Sequence, residues 1–261
     1  MSGFDRRSLD GGVHALVAIA LERDGFLAAF LERGGGTSPA PFVSLNVSYG
    51  VGDDPRNVTA NRRRAAEAFG VAGFAVPGLI HGTKLSAVGP ERATDGFLGL
   101  AETFRAADGL HTDSANVPLA EFSADCVVAI LASPRERRVA IVHAGWRGMA
   151  AGVLQRGAVL FEDRREVRVA IGPAIGPCHY EVGEEVVLAV SAGSPAGAVT
   201  RRLGARVFLD LAGTTRAILN AEGIGRVYDT GLCTACEPDR LFSFRAEGAT
   251  GRHLALAMRR D

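Results

Sequence analysis

Short apolar runs alternate along this chain with longer segments of helical period. The runs at 76–80, 126–132, 139–142, 167–171, 207–211 and 254–258 are brief and rich in β-branched residues, which predicts strands. Segments 149–161, 184–190 and 212–221 have the length and period of helices. The clearest helix spans 54–69: Asp54 is a natural N-cap, Pro55 fits the first turn, Val58, Ala65, Ala66 and Phe69 form one apolar stripe, and Gly70 ends it. Arg62, Arg63 and Arg64 are expected on its opposite, solvated face rather than at a phosphate site. The pattern predicts an α/β (α+β) fold with mixed sheets and helices packed outside, a single domain over residues 1–261 in which 1–25 carry the weakest signal.

Composition narrows the function. With 261 residues, 47% of them hydrophobic, the chain can bury a core. Basic and acidic residues number 29 each, so no global field attracts nucleic acid or a membrane surface. No apolar run approaches the ~18 residues of a membrane span, and the polar first ten residues lack the apolar core of a signal peptide, so a cytoplasmic location is expected. Four cysteines are too sparse for a disulfide scaffold, and six histidines are too few for the full copper set of a multicopper oxidase. Cys233 and Cys236 form a lone CxxC, which alone is a weak zinc signal and is read as packing. His14, His111 and His253 have no partner identifiable from the sequence.

The strands at 126–132 and 139–142 are joined by only six residues, too few for a parallel crossover, and so form an antiparallel hairpin. If its turn centres on Pro134 and Arg135, residues whose numbers sum to 269 face each other, which pairs Cys126 with His143. Opposed Cβ atoms lie roughly 4.5 to 5.5 Å apart, close enough to share a metal ion or to form a Cys–His pair. A third ligand is offered by His81, which follows an apolar strand and precedes Gly82. One Cys and two His suit zinc, and three protein ligands leave a fourth position for water or substrate, as catalytic zinc sites do. After His143 comes Ala144-Gly145-Trp146-Arg147-Gly148, where glycine amides, a flat ring and a guanidinium meet at a strand-to-helix loop suited to anions and aromatic rings. Cys178, after Pro177, is a candidate for lining the same pocket.

A family resemblance rests on motifs in fixed order: Ser44-Leu45-Asn46, Val51-Gly52-Asp53-Asp54-Pro55, Asn61-Arg62, Ile80-His81-Gly82, Ala107-Asp108-Gly109-Leu110, Ser123-Ala124-Asp125-Cys126, His143 to Gly148, Ile175-Gly176-Pro177-Cys178 and Phe242-Ser243-Phe244-Arg245. In these the chain resembles the YfiH family, also called the laccase-domain or polyphenol-oxidase-like family, from about Phe30 to the C-terminus. The resemblance implies a fold similar to a toxin deamidase with a Cys–His pair. It implies zinc, with copper the lesser alternative, on His81, Cys126 and His143, the set the hairpin also suggests. It further implies a purine nucleoside phosphorylase acting on adenosine, inosine, guanosine and S-methyl-5′-thioadenosine, with adenosine deaminase activity at the same site.

The expected partners are therefore a small nucleoside and phosphate; the sequence does not specify an oligomer. Arg147 is the first candidate for the phosphate and Arg245 the second, while Trp146 and Cys178 line the substrate side. Asp125, beside a ligand, is expected to point to the opposite face and to orient a histidine or cap a loop. Leu79 stands where the family commonly has Gln, and His179 where another Cys is frequent. Competing functions are a metal-free Cys126–His143 hydrolase acting in peptidoglycan precursor editing, a copper polyphenol oxidase, and a binding module without turnover.

Overall fold

Strands apolar at every position need cover on both faces, and the central hairpin has it. The structure, a computed structural model, describes residues 3–99 and 104–261; Met1 and Ser2 of the polar N-terminal stretch lie outside the described residues. The hairpin strands Val127–Ser133 and Arg138–Ala144 sit in the middle of a mixed six-stranded sheet. Arg168–Ile171 and Arg226–Asp229 continue it on one side, Gly109–Thr112 and Ser86–Ala87 on the other. A second sheet, antiparallel throughout, runs in the order Phe4–Ser8, His14–Ala18, Phe26–Leu31, His253–Arg259, Leu119–Ser123.

Alternation along the strands divides the core into three layers. Val128, Ile130, Ile141 and Val139 pack against Leu16, Phe26, Phe30 and Leu119 between the sheets. Val127, Ala129, Leu131 and Val142 face the other way, toward the helices Val153–Ala158, Glu184–Ala192 and Leu211–Ala221. The outer face of the antiparallel sheet, with Val17, Leu27, Leu254 and Leu256, is covered by the helix Pro55–Ala68. The result is a helix–sheet–sheet–helix sandwich, an α/β fold with mixed sheets and helices outside. Among the described residues, no helix is long and apolar enough to cross a membrane.

Several boundaries differ from the sequence pattern. The weakly patterned first 25 residues supply two strands of the antiparallel sheet and the short helix Ile19–Arg23. The expected strand at 76–80 shrinks to Pro77–Gly78, and Ile80 is exposed. The helix expected over 149–161 divides into Trp146–Ala150 and Val153–Ala158, because Gly152 at φ 88° turns the chain in a conformation other residues resist.

The hairpin register also moves. Its four-residue turn is closed by Ser133 and Arg138, so His143 pairs with Val128 and Ala144 with Val127. Cys126 therefore lies one residue beyond the last pair, alongside Gly145, and is not directly opposite His143. The turn centres one residue later than expected, with Arg137 at φ 54° in the left-handed region.

Arg62 is not solvated. It is 3% exposed and lies against two rings, with its guanidinium carbon 4.5 Å from the centre of Tyr49 and 4.7 Å from that of Phe122. Its N–H groups donate to the carbonyls of Val47, Gly96 and Phe97 at 2.7 to 2.9 Å, binding two separate loops to one helix. Arg62→Leu leaves those buried carbonyls without donors and should cost about 3 kcal/mol. Urea unfolding followed by circular dichroism measures it, and a loss below about 1 kcal/mol would contradict this role.

Candidate metal centre and its surroundings

Gly109 has no room for a side chain: a Cβ there would sit 2.5 Å from Leu85 and 2.6 Å from the carbonyl of Ile141. That close approach lets the strand Gly109–Thr112 pair with the hairpin and brings Asp108 beside His143, whose backbone N–H donates to the Asp108 carbonyl at 2.9 Å. The Asp108 carboxylate is fully buried. One oxygen accepts the His81 backbone N–H at 2.6 Å, the other that of Gly82 at 2.7 Å. It lies 3.6 Å from Nδ1 of His143. Burial opposes its ionisation, but the His143 imidazole and these two amides hold it below the usual carboxylate range.

One carboxylate thus fixes both histidines. His81 adopts φ 58°, a left-handed conformation its own residue type disfavours, and the paired amide bonds to Asp108 hold it there. The two imidazoles meet edge to face with centroids 5.1 Å apart. Cys126 joins them, and the donor atoms of His81, Cys126 and His143 all lie within 4.8 Å of one another. Gly145 makes this possible, since a Cβ there would come 3.0 Å from the Cys126 sulfur and 3.5 Å from the His81 ring.

The electrostatics suit a cation. Burial alone would raise the Cys126 thiol, but the adjacent imidazoles, His143 before His81, bring it down to about 6. Burial would lower His143, whereas Asp108 and Cys126 carry it up to about 10. A thiolate, two imidazoles and a carboxylate behind one of them form a donor set that can hold a metal ion, with Asp108 supporting a ligand from behind.

Asp125 does not touch the histidines. One of its oxygens accepts from the hydroxyls of Thr234 and Ser243, the other from the backbone N–H of Arg245, so it caps the loops that frame the centre, the second of its two expected roles. The guanidinium of Arg245 stacks on Tyr180 at 4.7 Å and donates to the Glu181 carbonyl. Arg147 is exposed and covers one face of Trp146 at 4.3 Å; among the described residues it has no carboxylate partner. Tyr180 is raised by burial and by Cys126, and opposed by the charges of Arg245 and Arg147, which places all four in one electrostatic neighbourhood. Cys178 lies elsewhere, in an exposed loop with His179, Cys233 and Cys236.

Three features escaped the sequence reading. Asp108 appeared only within a motif, without a role. Glu121 sits in an otherwise apolar strand with both carboxyl oxygens buried and unpartnered; burial pushes it well up, and the nearby His143 opposes that. A lone acid amid Leu119-Ala120-Glu121-Phe122 was the available signal. The third is a cavity of about 270 Å³ lined by Tyr49, Arg62, Leu79, Phe122 and Arg252, next along the chain from His81. Among the described residues, both of its arginines donate only to backbone carbonyls, Arg252 to those of Thr250 and Gly251.

The chain is similar to known proteins over nearly its whole length. The family model described as multi-copper polyphenol oxidoreductase laccase matches residues 27–260. The purine nucleoside phosphorylase YlmD of Geobacillus stearothermophilus is 36% identical over 250 residues, covering 91% of each chain. A purine nucleoside phosphorylase of Deinococcus radiodurans is 36% identical over 235 residues, covering 87% of each. The crystal structure of the Geobacillus YlmD superimposes with a TM-score of 0.88 at 34% identity, over 95% of this chain and 96% of that one.

Asp108→Asn keeps an acceptor for one backbone amide but sets an NH2 group against the other and removes the charge behind His143. Affinity for a divalent metal, probed with added zinc in competition with a chromophoric chelator, should fall about 10- to 100-fold. Unchanged affinity would mean that Asp108 only supports the loop.

Proposed function

This chain belongs to the multi-copper polyphenol oxidoreductase laccase family, matched over residues 27–260, and from that premise we propose that it is a zinc-dependent purine nucleoside phosphorylase. Its substrates are adenosine, inosine, guanosine and S-methyl-5′-thioadenosine with phosphate, and adenosine is also deaminated at the same centre. The observation that carries this is the convergence of His81, Cys126 and His143, backed by Asp108, with Arg147, Arg245 and Arg252 nearby and, among the described residues, in no salt bridge.

Zinc fits the donor set better than copper does, since two imidazoles and one thiolate at an open position match catalytic zinc, and six histidines leave too few for a multicopper set. When bound, zinc supplies a Lewis acid that polarises an oxygen at the open position. Phosphorolysis breaks the bond from C1′ to the purine nitrogen and forms one from C1′ to a phosphate oxygen, the base leaving with the bonding pair and taking up a proton. Protein groups must therefore hold a dianion beside the sugar. Arg147 does so first, with Arg245 and Arg252 next; Arg252 feels both Asp125 and Cys126. The exposed part of Trp146 and the ring of Tyr180 offer flat surfaces for the base. A reduced thiol at this centre suits the cytoplasm.

A second reading has one observation behind it: the lowered Cys126 and raised His143 also make a thiolate–imidazolium pair, the requirement of a Cys–His hydrolase. Metal dependence separates the two. Cys126→Ser and His143→Ala should each lose the metal of this centre and turnover while circular dichroism stays unchanged. Full activity in metal-stripped protein would instead favour the hydrolase.

Only phosphorolysis needs a second anion, so Arg147→Met should separate the two reactions. The KM for phosphate should rise roughly tenfold, while deamination of adenosine changes little. Both products are read from one adenosine reaction across a phosphate titration. Equal losses would mean that Arg147 maintains the loop, and that the phosphate is held by Arg245 or Arg252.

A further inference from the structure

A second group of donors lies outside the catalytic centre. Cys178, His179, Cys233 and Cys236 place their sulfur and nitrogen atoms within 4.8 Å of one another. The sulfurs of Cys178 and Cys236 are 3.5 Å apart, and Nδ1 of His179 lies 3.3 Å from Cys178, 3.4 Å from Cys236 and 3.7 Å from Cys233. A tetrahedral ion with metal–sulfur bonds of about 2.3 Å and a metal–nitrogen bond of about 2.0 Å spaces its ligands about 3.5 Å apart for sulfur–nitrogen and about 3.8 Å for sulfur–sulfur. The observed distances are those of the edges of such a tetrahedron.

The expectation that Cys233 and Cys236 pack fits Cys233, which lies partly buried against the helix-side core, but not Cys236. Cys178, His179 and Cys236 are exposed, whereas a cysteine serving as a small apolar side chain is buried. No carboxylate takes part in the group. Cys233 and Cys236 lie at the ends of a short turn in which the Cys236 N–H donates to the Cys233 carbonyl, and the Gly176 N–H donates to the Cys233 sulfur at 3.2 Å. Backbone amides aimed at a sulfur favour its thiolate, the form that binds metal.

We propose that Cys178, His179, Cys233 and Cys236 hold a second zinc ion in a closed, four-ligand structural site. Three thiolates and an imidazole leave no open position, in contrast to the three-ligand centre at His81. The ion joins two loops that meet at Ala174 and Cys233 and then converge on Asp125: Ile175 donates to its carbonyl at 2.9 Å and Thr234 to its carboxylate at 2.6 Å. Tyr180 follows directly on the first of these loops, and Arg245, in the helix Phe244–Glu247, stacks on it and donates its backbone N–H to the same Asp125 carboxylate. The second site thus acts as a clasp behind the reaction face, and its existence is independent of which nucleoside the enzyme takes.

Elemental analysis of protein purified without chelator should find two zinc ions per chain. The double variant Cys233→Ser, Cys236→Ser should retain one, and Cys126→Ser should also retain one. X-ray absorption on the unaltered protein needs no variant: with both sites filled, the average zinc has about two sulfur neighbours, and with only the first filled, about one. Two zinc ions with the higher sulfur number would support the clasp. One zinc that Cys126→Ser removes, metal content unchanged in the double variant, or a Cys178–Cys236 disulfide in the purified protein would each overturn it.

Discussion

A single buried carboxylate organises this molecule's chemistry. Asp108 accepts the backbone amides of His81 and Gly82 and stands behind the ring of His143, so a loop and a strand are held in register by one charged group. Burying a charge is costly unless several donors meet it, and here the donors belong to the residues that must be positioned. The strained backbone of His81 persists because those bonds over-determine it. Ligand geometry and local stability are therefore the same interaction, seen from the metal side and from the chain side.

The sandwich explains why the centre lies where it does. Two sheets and two helical layers bury the hairpin along its length, leaving its open end as the place where strands give way to loops. Cys126, His143 and Gly145 all come from that end, and Asp108 arrives from the next strand. The rigid part of the fold thus carries the donors, while Arg147 and Arg245, in short helices beside it, are exposed to the solvent. Gly145 marks the tightest point, because the sulfur and an imidazole already occupy the space a side chain would take.

Much of this arrangement was legible in the sequence, for a physical reason: six residues between two apolar runs leave only a hairpin, and a hairpin brings its ends together whatever its exact register. The register itself was not legible, since a turn centred one residue later preserves the hydrophobic pattern. Arg62 was misplaced although the pattern held its position: it follows Val58 by four residues and precedes Ala65 and Ala66 by three and four, on the apolar stripe. Its neighbours Arg63 and Arg64 hid it within a charge run. Cys178 and His179 stand more than fifty residues before the CxxC, and only the pairing of Ala174 with Cys233 brings the two together. Asp108 was visible as part of a motif, but its role depends on the strand pairing that sets it beside His143.

The account stands or falls on the ion at the first centre. Anomalous diffraction across the zinc edge, from crystals of protein purified without chelator or added metal, would locate it directly. A zinc peak among the side chains of His81, Cys126 and His143 is the predicted result. A copper signal there, or no peak while the three side chains keep their positions, would contradict it.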